Sequence, residues 1–200
     1  MKTSPLNRVL AIARQQRIIR PRDVEAIGVP REYLLRLMRQ GVIRRTGRGV
    51  YEVSDAKPTE HHSLAVVAKE IPKGVVCLLS ALRFHELTTQ QPSEVWIGVH
   101  IRSRSPRAST TTHRLVRYSE KTLKAGVESH EIEGVSVRIF NSAKTVADCF
   151  KYRSKIGLDV AIEALKDVLK RKKTTIDEID RYARICRVSR IMRPYLEAVA

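Results

Sequence analysis

Three outward positions at helical spacing, Arg36, Arg39 and Gln40, carry side chains able to read base edges. Arginine can pair bidentately with guanine and glutamine with adenine. A few residues on, Arg44, Arg45 and Arg48 crowd a glycine-containing segment, Thr46-Gly47-Arg48-Gly49. Guanidinium groups on such a tip suit backbone phosphates, which give affinity with little sequence information. Arg31 and Tyr33 join the candidate set at the start and border of the same helix. The expected chemistry is recognition of a polyanion, with no bond made or broken.

The elements that must hold these side chains follow from periodicity. Leu6, Val9, Leu10 and Ala13 predict a first helix over Leu6 to Gln16. A short second helix is predicted from Pro21 to Ile27, with Pro21 in the first turn and Gly28 after the last. Gly28-Val29-Pro30 is a tight turn, and Pro30 opens a third helix that runs to Gln40 and ends at Gly41. At about 100° per residue, Leu34, Leu37, Met38 and Gly41 share an inner side and Arg36 lies nearly opposite. Glu32, Arg39 and Gln40 flank Arg36, with Tyr33 and Leu35 at the borders. Val42 to Val53 reads as a β-hairpin with a basic tip. Helix, helix, turn, helix and basic hairpin is the order of a winged helix-turn-helix, whose third helix is expected in the DNA major groove.

Composition agrees. The 200 residues carry a formal net charge of +17, 42% hydrophobic and 5% aromatic residues. Such an excess attracts nucleic acid or an anionic membrane surface. Residues 1–56 hold 12 basic and 5 acidic groups, and residues 111–200 hold 19 and 12. More than one surface can therefore meet a polyanion. The longest uncharged apolar stretch, Gly74 to Leu82, is far short of the ~20 residues of a membrane span. The first residues have no signal-peptide core, so a cytoplasmic protein is expected. Cys77, Cys149 and Cys186 form no CxxC pair and read as buried free thiols.

The fold class expected is α+β: an N-terminal winged helix-turn-helix over residues 1–56, then a mixed α/β domain over 57–200 ending in several helices. Ser54 to Pro58 marks the boundary. Helices are expected at Glu60 to Glu70, Ser142 to Lys151, Gly157 to Lys172, Ile176 to Cys186 and about Ser189 to Val199. Strands are expected at Val95 to Ile101, Arg114 to Tyr118, Val127 to Ile132 and Val135 to Phe140, the last two joined by a turn at Glu133-Gly134. Val75 to Leu79 reads as strand or as the start of a helix through Leu87.

A second basic group, Arg102, Arg104, Arg107, Arg114 and Arg117, surrounds a Ser/Thr/Pro-rich connection between two strands. It is either a further polyanion contact or a solvated loop. Ser142 reads as a helix-start residue accepting from backbone N–H groups, and Lys144 and Asp148, four apart, as an ion pair.

Catalysis is not expected. Glu128 and Glu131 lack the lysine that a metal-dependent nuclease would add, and no Gly-Ser dipeptide supports a nucleotidyltransferase. His61 and His62, adjacent on a helix, point about 100° apart and rarely chelate together. No metal and no cofactor are expected. An RNA-binding or general polyanion-binding module with a winged-helix head stays open beside the DNA reading.

Residues Ile18 to Tyr51, with Asp23-Val24, Gly28-Val29, Leu34, Leu37, Gly41 and Arg48-Gly49-Val50-Tyr51, resemble the winged-helix domain of AbiEi-type antitoxins. These belong to abortive-infection type IV toxin–antitoxin systems. Leu79-Ser80-Ala81-Leu82 with Leu87, Pro92 to Ile97, and Phe140 to Cys149 are similar to further stretches of that family. The resemblance implies a repressor of its own operon that binds promoter repeats in double-stranded DNA. It implies a C-terminal domain needed to counter a nucleotidyltransferase-like toxin, without implying direct contact with it.

Overall fold

The computed structural model describes residues 4–47, 49–55, 57–104 and 111–199. Helices and sheets mix in an α+β arrangement, and the chain divides into two compact units.

The first unit runs to Lys73 and takes in residues 130–137. Its helices are α1 (Pro5–Gln16), α2 (Pro21–Ala26), α3 (Glu32–Arg39) and α4 (His62–Glu70). Its strands are β1 (Ile18–Ile19), β2 (Ile43–Gly47) and β3 (Val50–Val53), in the antiparallel order β1-β3-β2. Val9, Ala13, Ile19, Val24, Val29, Leu34, Leu37, Ile43 and Tyr51 form one buried cluster. It gathers the apolar faces of the three helices onto the sheet.

Local chemistry fixes the helix starts. The Ser4 hydroxyl accepts from the Asn7 N–H at 3.2 Å. Pro21 opens α2, and the Asp23 carboxylate takes the Arg20 N–H at 2.9 Å. The third helix begins at Glu32, two residues later than predicted. Pro30 and Arg31 instead accept i+3 bonds from Tyr33 and Leu34, a tightened lead-in turn. Strand β1 was not predicted, since two residues show no alternation. Ile18 and Ile19 are both fully buried against Glu52 and Tyr51 of β3. Helix α4 is tied in by Lys69, whose ammonium reaches Asp23 Oδ2 at 2.7 Å and Gln16 Oε1 at 3.1 Å. The Arg20 guanidinium donates to the Lys69 carbonyl.

The second unit centres on a five-stranded sheet. Its strands are β4 (Val75–Val76), β5 (Val95–His100), β6 (His113–Tyr118), β7 (Val127–Ile132) and β8 (Val135–Phe140), in the order β6-β5-β4-β8-β7, with residues 130–137 of the β7–β8 hairpin belonging to the first unit. β5 and β6 are parallel, as are β4 and β8, while β4 and β5 are antiparallel. The helices are α5 (Leu78–Phe84), α6 (Glu120–Lys124), α7 (Ser142–Lys151), α8 (Arg153–Ile156), α9 (Leu158–Lys170), α10 (Ile176–Cys186) and α11 (Ser189–Glu197). The open choice at Val75 to Leu79 resolves as both: a two-residue strand, then a helix.

Helix α7 is buried along nearly its whole length. Its cap is Asn141, not Ser142. Asn141 has extended backbone, and its side-chain oxygen accepts from the Lys144 N–H at 2.8 Å; Ser142 is already the first helical residue. Lys144 and Asp148 form the expected ion pair, with both side chains at 0% exposure. The Asp148 carboxylate also accepts from the Tyr118 hydroxyl at 3.0 Å and the Cys186 thiol at 3.2 Å. The Lys144 ammonium lies 4.1 Å from the Phe140 ring centroid and 5.0 Å from that of Tyr118. The hydrogen bonds and ring faces offset the cost of burying two charges.

Candidate nucleic-acid interface

Helix α3 presents a divided wheel. Leu34 and Leu37 are buried in the first unit's core, and Arg36, Arg39 and Gln40 are exposed. Basic residues sit in its last turn, where the helix dipole favours cations, and Glu32 sits in its first turn. The Arg36 guanidinium lies 4.6 Å from the Tyr33 ring centroid and 3.1 Å from Glu32 Oε1. Stacking and ion pairing hold its plane on the exposed side without hiding it: 58% of the side chain stays accessible. Arg31 is the exposed N-cap residue. Leu35, beside Arg36, is 46% exposed.

The β2–β3 hairpin carries the other arginines. Arg44 faces Glu52 directly and Arg45 faces Tyr51. Successive strand residues leave by opposite faces, so the two guanidinium groups diverge. The Arg44 guanidinium closes on Glu52 Oε1, while Arg45 Nε donates to the Gly47 carbonyl at 3.0 Å. A register irregularity lies between Arg45 and Gly47. Arg48 lies outside the described residues.

The second basic group does not form one patch. Arg102 and Arg104 are exposed just after β5. Arg117 joins them there, donating to the carbonyls of Ser103 and, at 3.4 Å, His100. Arg114 is three residues away on β6 and so on the opposite face. It pairs with Glu94 at 2.6 Å and stacks 4.7 Å from the Trp96 ring centroid. Arg107 lies outside the described residues.

One cluster escaped the sequence reading. His62 lies between two carboxylates, Glu52 and Glu133, the latter 71 residues further along the chain. Burial pushes the Glu133 carboxyl up, but hydrogen bonds from His62 and Thr59 outweigh it and leave it below the usual range. No local pattern could have joined Glu133 to His62; only the β-turn residues Glu133-Gly134 were legible. Among the described residues, no three His, Cys, Asp or Glu side chains gather as ligands for a metal ion. Burial pushes the three thiols up, that of Cys186 to about 12, which keeps them protonated and unreactive. Among the described residues, no helix is long and apolar enough to cross a membrane.

Comparison with known proteins places the family signal on the same segment. Residues 7–54 match the family described as transcriptional regulator, AbiEi antitoxin. That span holds most of α1, all of α2 and α3, and the β2–β3 hairpin, and it agrees with the resemblance carried by Ile18 to Tyr51. No curated protein matches the chain. In fold, the chain is similar to the crystal structure of the RV2827C protein from Mycobacterium tuberculosis. The TM-score is 0.59 at 11% identity, over 98% of this chain and 82% of that one.

Proposed function

We propose that the chain is a DNA-binding transcriptional repressor that regulates its own toxin–antitoxin operon and serves as its antitoxin. In this reading residues 1–56 are a winged helix-turn-helix. Helix α3 enters the major groove of promoter repeats, where Arg36, Arg39 and Gln40 read base edges and Tyr33 supports Arg36. Arg31, Arg44, Arg45 and Arg48 contact the backbone, the last three from the wing. The observation that carries the reading is the exposed Arg36–Arg39–Gln40 face of α3, backed by the buried Leu34 and Leu37 inside a segment that matches a regulator family. The net charge of +17 supports a polyanionic partner.

Residues 57–200 supply the antitoxin role against a nucleotidyltransferase-like toxin, with no need for direct contact. Arg102, Arg104 and Arg117 are the candidate polyanion contacts, with Arg107 beside them in sequence and Arg114 set apart. We read the protein as a non-catalytic cytoplasmic regulator.

The test is binding at matched salt to three probes: a duplex from upstream of the chain's own gene, a scrambled duplex, and a structured RNA. The upstream duplex should bind tightest. Equal affinity for all three would remove the operator reading and leave a general polyanion binder.

A further inference from the structure

The apolar side chains of α3 do not all serve the core. Leu34 and Leu37 are buried in it, and Tyr33 and Met38 pack against it. Leu35 belongs to neither set and is 46% exposed. The other large apolar side chains left exposed among the described residues, Ile101 and Leu158, belong to the second unit. The helix itself does not need a leucine at this position. Alanine, lysine or glutamine serves an exposed helical site about as well, with less apolar surface in water.

The neighbours of Leu35 give the position a chemistry. Arg31, Leu35 and Arg39 are spaced four apart and form one exposed ridge along the helix. Arg31 already has helical backbone, with φ −57° and ψ −20°, so the spacing holds from the N-cap onward. Glu32, the acid of the first turn, is taken by Arg36 at 3.1 Å. An apolar tip between two guanidinium groups suits a partner that is anionic at its edges and apolar at a point between them. The major groove of DNA has that pattern. Phosphates run along both rims, and among the polar base edges of the floor stands the C5 methyl of thymine.

We infer that Leu35 reads a thymine methyl, within about two base pairs of the base that Arg39 contacts. Residues four apart on a helix are about 6 Å apart along its axis, and stacked base pairs about 3.4 Å. The inference rests on the placement of α3 in the groove. It adds an apolar readout to the hydrogen-bonding arginine and glutamine contacts. Cytosine and uracil present no methyl, so the contact marks thymine against both. Burying one methyl-sized group corresponds to about fourfold in Kd.

The experiment is a deoxyuridine scan with the full chain. Each thymine in the footprint on the upstream duplex is replaced in turn by deoxyuridine, which keeps the base pair and deletes the methyl. Wild type should lose about fourfold in affinity where the methyl meets Leu35 and stay unchanged elsewhere. Leu35→Ala and Leu35→Gln should bind the parent duplex less tightly and no longer distinguish thymine from deoxyuridine at that place. Both should keep the wild-type salt slope, since no cation is removed. Circular dichroism establishes that each variant is folded. A wild type that prefers the upstream duplex yet ignores every replacement overturns the inference and leaves the DNA reading intact. So does a scan that is the same in both variants as in wild type. Variants that keep the scan but change from dimer to monomer in sedimentation also overturn it, and assign Leu35 to a contact between copies. A wild type that binds upstream and scrambled duplexes alike removes the operator reading itself.

Discussion

Arg44 and Glu52 lie directly opposite each other in the β2–β3 ladder, and the guanidinium closes over a carboxylate that is otherwise withdrawn from water. Arg45, one residue on, is anchored to the Gly47 carbonyl of its own strand. The two arginines should therefore behave differently when removed. On the proposed function, Arg44→Ala and Arg45→Ala each weaken all duplexes about equally and flatten the log–log salt dependence by about 1. Arg44→Ala alone should also destabilise the fold, by about 1–3 kcal/mol, because it strands Glu52. Urea unfolding of the two variants beside wild type checks the difference.

Arg36 makes a separate prediction about sequence preference. Its guanidinium is stacked on Tyr33 and paired with Glu32, which holds a planar fork outward from α3. A bidentate contact to guanine is worth about 1–3 kcal/mol of discrimination. Arg36→Lys keeps the charge and loses the fork. It should therefore relax the preference for the upstream duplex over the scrambled one while leaving the salt slope nearly unchanged. An unaltered preference in Arg36→Lys and Arg36→Ala alike would place base reading elsewhere than on Arg36.

What the chain revealed in advance was whatever is local and periodic. The inner positions Leu34 and Leu37 could be placed from the α3 wheel, because a helix repeats every 3.6 residues over enough length to show it. The hairpins could be placed from alternation and from Glu133-Gly134. Shorter elements could not, and Ile18-Ile19 is a strand only because β3 lies beside it. The divergence of Arg114 and Arg117 follows from their odd spacing on β6, but the basic residues of the loop obscured it. The Glu52–His62–Glu133 arrangement joins residues far apart in the chain, and its parts look ordinary alone: a strand acid, a helix-start histidine and a turn acid. Its geometry exists only after folding.

Gly134 should be the more sensitive of two comparable glycines. Gly41 and Gly134 both have positive φ, 70° and 73°. A Cβ on Gly41 meets nothing within 4 Å, so Gly41→Ala costs only the left-handed strain, about 1–2 kcal/mol. A Cβ on Gly134 would lie 2.4 Å from the Gln15 carbonyl oxygen and 2.5 Å from the Gln16 Cα, both backbone atoms that cannot swing aside. Gly134→Ala should thus lower the urea midpoint clearly more than Gly41→Ala. Equal shifts would mean that the 130–137 segment moves away from Gln15 at little cost.

The buried thiols predict an alkaline weakness of the second unit. Burial is the main cause that raises Cys77, Cys149 and Cys186, and the Asp148 carboxylate adds to it in each case. In the unfolded chain these thiols ionise near pH 9, whereas the folded Cys186 waits until about 12. Between those values the unfolded state has released a proton that the folded state keeps, so stability falls as pH rises. Each such group contributes a slope of about 1.4 kcal/mol per pH unit within its window. Below about pH 8 the thiols contribute no slope, because they are protonated in both states. Cys186→Ala should therefore flatten the stability profile between pH 9 and 11 by about one group's worth, even if it lowers stability at pH 7 through the lost contact with Asp148. Urea unfolding across that range gives the slope directly. A wild-type stability that is flat from pH 8 to 11 would mean that the thiols ionise alike in the two states, contrary to their burial.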